Sequence, residues 1–258
     1  MGIAEGFVLK ALLIGLGIFF GMLGALALGQ RIARTLAKRG IEAGDGAGAM
    51  NGAVFALLGL LIAFTFSGAA TRFEARRSLL VEEANAIGTA YLRLDLVKPE
   101  ARTTLQEMFR TYVDTRLAQY QVASVAAFRA KHVQAQRMQG EIWSLAVRSS
   151  LDVGTPAPQV LLPALNEMID ITTTRAVAIE NHPPSIIYAM LILLALAAAL
   201  VAGLGLTGAH PHWAPKIAFA AAIATTIYIT LDIEHPRLGL VTISEADHIL
   251  RDVRASMK

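Results

Sequence analysis

Four apolar runs, at residues 7–29, 52–70, 185–207 and 213–231, set the pattern of the chain, and one polar segment of about 110 residues separates the second from the third. Each run is close to the ~20 residues that a helix needs to cross ~30 Å of hydrocarbon, so the pattern predicts four membrane spans. The first carries Gly17, Gly21, Ala25 and Gly29 at every fourth position, a ladder of small residues on one helical face. The second carries a similar stripe, Gly52, Ala56, Gly59, Ala63, Ser67 and Ala70. No proline or glycine cluster stops the helix after Ala70. Leu80, Ala84, Ile87, Tyr91 and Leu94 continue the helical period, which predicts one long helix that leaves the membrane and runs on to about Leu96. The Gly- and Ala-rich stretch 40–52 reads as a loop.

Within the polar segment, Pro99 is placed as the first residue of a helix reaching about Tyr120. A further helix is expected over 125–149, a loop over 152–158 (Gly154, Pro156, Pro158), and another helix over 160–180 that ends before Pro183 and Pro184. Four helices with short connections suit an antiparallel bundle. The segment 71–183 holds 13 basic and 12 acidic residues, the balance of a solvated surface. Only residues 208–212 join the last two runs, which therefore form a hairpin. Beyond them a short amphipathic helix is expected over 245–257, with Ser244 and Asp247 spaced as a helix start. The fold class expected is all-α: four transmembrane helices with a water-exposed antiparallel helical bundle between the second and third. The expected divisions are 1–70 (first two spans), 71–183 (bundle), 184–232 (hairpin of the last two spans) and 233–258 (tail with the short helix).

Composition narrows the functional classes. The chain is 55% hydrophobic with a mean hydropathy of +0.52, and its net charge is only +3 with no long basic block, so nucleic acid is not an expected partner. It has no cysteine, hence no thiolate metal site or disulfide. Gly203, Gly205 and Gly208 match GxGxxG formally, but at the end of an apolar run, without the preceding strand that a phosphate cradle requires. No GxSxG, GxxxxGK[ST] or HExxH pattern occurs. No catalytic residue, cofactor or metal is therefore expected, and the chain does not read as an enzyme. The first run lacks a basic leader and is followed by its positive charge, which predicts a retained helix, not a cleaved signal. Arg31, Arg34, Lys38, Arg39 and Lys216 flank the two short loops. By the positive-inside rule those loops are cytoplasmic, and the bundle and both termini lie outside.

Three groups of residues are candidates for function. Gly59, Ala63 and Ser67 would line a narrow pore in an oligomer; the same small side chains equally suit close helix packing. Ala218, Ala222, Thr226 and Thr230 in the fourth run have the same two readings. Glu83, Asn85 and Arg93 follow the second run, with Glu82, Thr89 and Asp95, while Asn166 and Asp170 precede the third, with Glu167 and Arg175. If their helices run side by side, these groups form a charged vestibule, a gating ion pair or a network that fixes helix register. Asp232, Glu234, His235 and Arg237 end the fourth run, and His182 at the start of the third should lie at a similar depth. They are either a pH-sensitive group or interfacial caps. His210 and His212 form an isolated pair in the opposite loop.

Two stretches carry a family resemblance. One is VFALLGLLIAFTFSGAATRFEARRSLLVEEANAIGTAYLRLD (54–95). The other pairs LLPALNEMIDITTTR (161–175) with LDIEHPRLGL (231–240). Over most of its length the chain resembles the bestrophin-like family of bacterial membrane proteins. The resemblance implies a bacterial inner (plasma) membrane location; membrane lipids are expected partners of the apolar runs, and the small-residue faces of the first two spans point to further copies of the chain as partners. The family name points to bestrophin anion channels, which are pentameric and keep a large helical part in the cytoplasm, opposite to the side that the charges predict here. Two functions follow as expectations: a homo-oligomeric ion channel or pore, or a membrane-anchored sensor or scaffold whose helical domain binds a ligand or partner protein.

Overall fold

The computed structural model describes residues 3–40, 47–119, 125–206, 213–236, 238–243 and 247–257, and among these are helices and their connections but no strand. The α-helices are α1 (Ile3–Lys38), α2 (Ala47–Leu92), α3 (Pro99–Gln119), α4 (Val125–Leu151), α5 (Ala157–Glu180), α6 (Ser185–Leu204), α7 (Trp213–Glu234) and α8 (Asp247–Ser256). Four of the described helical stretches are long and apolar enough to cross a membrane. The all-α class and the four spans read from the apolar runs are those of the structure.

The boundaries differ where glycine and proline mislead. α2 begins at Ala47, inside the stretch read as a loop, and takes in Gly48 and Gly52. Its helix then continues unbroken to Leu92 and closes in a 3-10 turn over Arg93–Leu96. α5 begins three residues before the expected start. Pro158 sits in its first turn, where the missing N–H would have had no partner in the helix anyway. Expectations that fall on residues 41–46, 207–212, 244–246 and on Arg237, among them the His210/His212 pair and the Ser244 cap, lie outside the described residues.

The chain divides into two compact units, one of residues 1–5, 72–181 and 241–258, the other of residues 6–71 and 182–240. In the first, Leu80 and Ile87 of α2 and Leu94 of the 3-10 turn pack with Leu105, Phe109 and Tyr112 of α3, Ile142 of α4, and Leu161, Leu165 and Met168 of α5, all fully buried. The α3 and α5 sets step by four and three residues and the first set by seven, spacings that keep one helical face against a core. The tail helix belongs to this core. Leu250 and Met257 are buried in it, and Arg254 holds Asp114 of α3 through two bonds of 2.8 and 3.1 Å. Arginines of the α2 segment secure α5. Arg76 donates to the carbonyls of Ala178 and Asn181 at its C-terminal end (2.9 and 3.0 Å), and Arg93 donates to Val160 O (2.8 Å). The first two satisfy carbonyls that a helix end leaves without an internal donor.

The second unit packs α1, the first part of α2, α6 and α7 around Ile18, Met22, Leu26, Leu58, Leu191, Ala195, Ala224 and Ile227. Its outer surface is apolar, with Leu13, Phe20, Phe64 and Leu193 exposed. Such a surface is untenable in water at this extent and natural in lipid. α1 and α6 cross backbone to backbone at Gly29 and Gly203. A Cβ on Gly29 would fall on the carbonyl oxygen of Leu200, and one on Gly203 on that of Leu26. One end of the small-residue ladder is thus a helix crossing. At Gly21 the neighbour is only the Leu196 side chain, and a Cβ at Gly17 would meet nothing within 4 Å.

Candidate functional site

The small-residue face of α2 is uncovered. Gly52, Ala56, Gly59, Ala63 and Ser67 are all exposed, and a Cβ added at Gly52 or Gly59 would meet no atom within 4 Å. Only 11% of the most apolar window of this helix is buried, against 22–33% for the other three spans. Small side chains permit close packing, yet no described helix covers them here. The hydroxyls in the spans divide in the same way. Thr65 donates to Leu61 O (2.8 Å), Thr226 to Ala222 O (2.8 Å) and Thr230 to Thr226 O (2.8 Å), each turned back on its own helix. Such internal bonds spend the one donor that each threonine hydroxyl has. Ser67 donates to no described group and stands on the open face.

The polar groups that follow the second apolar run converge only in part. Glu83 is fully buried inside the bundle between two arginines from other helices. Arg116 Nε of α3 donates to Glu83 Oε1 at 2.7 Å, and Arg175 of α5 pairs with Oε2. Arg116 also donates to Gln119 Oε1 (2.8 Å). Beside them Gln139 of α4 bridges Tyr112 OH (3.0 Å) and Thr172 Oγ1 (3.2 Å). Burial first, and the Arg116 charge second, hold the His132 imidazole below its ordinary pKa, so it adds no third positive charge at neutral pH. Asn85 is exposed, and on the outer face of α5 the Asn166 side chain donates to Asp170 Oδ2 (2.7 Å). Arg93 is spent on a backbone carbonyl. The structure brings Glu83 and Arg175 together and leaves Asn85, Arg93 and the Asn166–Asp170 pair outside that cluster. The sequence reading missed Arg116, although Leu105, Phe109, Tyr112, Arg116 and Gln119 share one face at steps of four and three. A charged residue continuing a core stripe is the signal that marks it.

At the end of α7 the chain folds back on itself. Asp232 is buried, and its Oδ1 accepts the N–H of Leu240 at 2.9 Å. Gly239 lies against that carboxylate so closely that a side chain there would collide with it. Glu234, also buried, faces His182 Nδ1 at 3.2 Å, and the His182 and His235 rings stack at 4.8 Å. Phe7 covers the second ring at 4.6 Å. His235 Nδ1 lies 3.2 Å from Leu231 O, and a carbonyl oxygen only accepts, so that nitrogen carries the proton. Arg237 lies outside the described residues.

The quoted motifs fall on these local arrangements. In 231–240 the aspartate and the glycine form one turn, in 161–175 the last arginine reaches the buried carboxylate, and in 54–95 the open face and that carboxylate sit on one helix. No curated protein and no solved structure matches the chain. With four helices able to cross a bilayer, it reads as a multi-pass membrane protein. The family model of the bestrophin-like domain matches residues 18–247, most of the chain: the protein is a member of the bestrophin-like family.

Proposed function

We propose that the protein is the subunit of a homo-oligomeric ion channel or pore in the bacterial inner membrane. In this reading Gly59, Ala63 and Ser67 of α2 face the path, and neighbouring copies cover what one chain leaves open. The observation that carries it is the uncovered small-residue face on the least buried span. Small residues admit either a close-packed neighbour or water, and the unbonded Ser67 hydroxyl suits a polar path. The apolar runs hold few ionisable groups, which suits passive conduction better than a proton relay. Family membership supports a channel more than an enzyme. In liposomes, Ser67→Trp is expected to cut ion flux by at least tenfold while the complex keeps its mass; unchanged flux would remove α2 from the path.

The charges of the short loops favour a cytoplasmic position for them and an extracytoplasmic one for residues 71–183 and both termini. A reporter enzyme active only in the cytoplasm, fused after Lys258, should then stay silent. Activity there reverses the orientation. A sensor or scaffold role has one observation in its favour, an open groove of about 620 Å³ on the bundle beside Arg137, Glu141, Ser144 and Arg148. Absence of flux from an intact oligomer would turn attention to it.

A further inference from the structure

We propose that Arg31, Arg34 and Lys38 of α1, with Lys216 of α7, form a surface that holds the headgroup of an anionic phospholipid. α1 is longer than its apolar run: residues 7–29 account for the crossing, and the helix continues to Lys38. At 1.5 Å per residue, Arg31 lies about 3 Å and Arg34 about 7.5 Å beyond Gly29, within the headgroup layer, and Lys38 reaches back to it with its long stem. Two further residues mark the same depth. Lys216 Nζ donates to Gln30 Oε1 at 2.8 Å, which fixes this end of α7 beside α1. Trp213, one turn earlier on α7, is exposed, as tryptophan at a membrane–water boundary commonly is.

Spacing and charge specify the partner. Arg31, Arg34 and Lys38 stand at steps of three and four, on one face of the helix, and all three are exposed. Residues three and four apart are neighbours on a helix, so the two guanidinium forks can close on one phosphodiester and the ammonium on its flank. No described acidic side chain pairs with any of the three. The segment that follows holds two acidic residues, Glu42 and Asp45, against the four basic ones Arg31, Arg34, Lys38 and Arg39, so positive charge remains whatever they pair with. The helix dipole accounts for Lys38 in the last turn but not for Arg31 and Arg34, which precede it. Lys216 spends one of three N–H groups on Gln30 and keeps two. A zwitterionic headgroup would leave the excess charge unmatched, whereas an anionic one complements it.

The test uses the full-length protein, delipidated in a neutral detergent, titrated with phosphatidylglycerol or phosphatidylcholine and read by native mass spectrometry. Phosphatidylglycerol should bind in preference to phosphatidylcholine, and less well as salt rises. Each lost charge should weaken it about fivefold, and Arg31→Gln/Arg34→Gln/Lys38→Gln together on the order of a hundredfold. Arg129→Gln, an exposed arginine elsewhere, should leave binding unchanged. Equal binding of the two lipids, full preference in the triple variant, or equal loss in Arg129→Gln would overturn the proposal. Displacement of the lipid by excess inorganic phosphate would reassign the surface to a free anion and equally overturn it.

Discussion

Glu83→Ala is expected to destabilise the helical bundle by about 4 kcal/mol, a large share of what holds a domain of this size together. The carboxylate is fully buried between two guanidinium groups that are themselves 3–4% exposed. Inside a protein, charges interact far more strongly than in water, because little solvent reorganises around them. With the carboxylate gone, Arg116 and Arg175 keep two like charges without their shared counter-ion. They must then be hydrated by opening the bundle. Replacing the whole set is a different matter. In Glu83→Leu/Arg116→Met/Arg175→Met the desolvation cost leaves along with the attraction, and the bundle should be as stable as the parent or more so. Trp143 packs against this core and reports its melting by fluorescence in a Trp213→Phe background. If Glu83→Ala loses less than about 1 kcal/mol, the network is not the keystone that its burial implies.

Gly29→Val and Gly203→Val should each cost about 3 kcal/mol or more and loosen the membrane unit as a whole. At both positions the atoms in the way are main chain. A Cβ at Gly29 would also lie 2.9 Å from Leu204 N and 3.0 Å from Gly203 Cα. A side chain could rotate aside, but two backbones must separate, and every contact along α1 and α6 then lengthens. In lipid such contacts are the main attraction between helices, since no hydrophobic effect drives them together. The neighbouring glycines supply a graded control. Gly21→Ala meets only Leu196 Cδ2 at 3.2 Å and should be mild; Gly24→Ala meets nothing within 4 Å and should be neutral or slightly stabilising through helix propensity. Melting temperatures of the purified variants in one detergent give the order. A Gly29→Ala variant as harmless as Gly24→Ala would show that the crossing is not close.

How far these sites were legible depends on how many helices each one needs. The ladder on α1 was visible as spacing, and so was the stripe on α2. Yet one ends in a backbone crossing and the other stays largely exposed, and neither outcome lies in α1 or α2 alone. In the sequence, Gly203 stands out only within a GxGxxG match that lacks the strand before it. Its partner, Gly29, is 174 positions away. The vestibule residues looked alike on paper, since Glu83, Asn85, Asn166 and Asp170 are all polar groups beside apolar runs. Glu83 falls on the face that carries Leu80 and Ile87, while Asn85 falls outside it, a distinction that helical phase already contains.

The amino-acid sequence by itself determined the four spans, the long α2 and the short tail helix. Apolar length and three-four periodicity are properties of contiguous residues, and lipid demands that each span satisfy its own backbone bonds. Tertiary structure decided that Arg116 joins Glu83 and Arg175, that α8 enters the bundle core, that His182 stacks on His235, and that α2 leaves its small face open. Each of these depends on the register of separate helices. Register follows from packing summed over many distant side chains, which no local window of sequence contains.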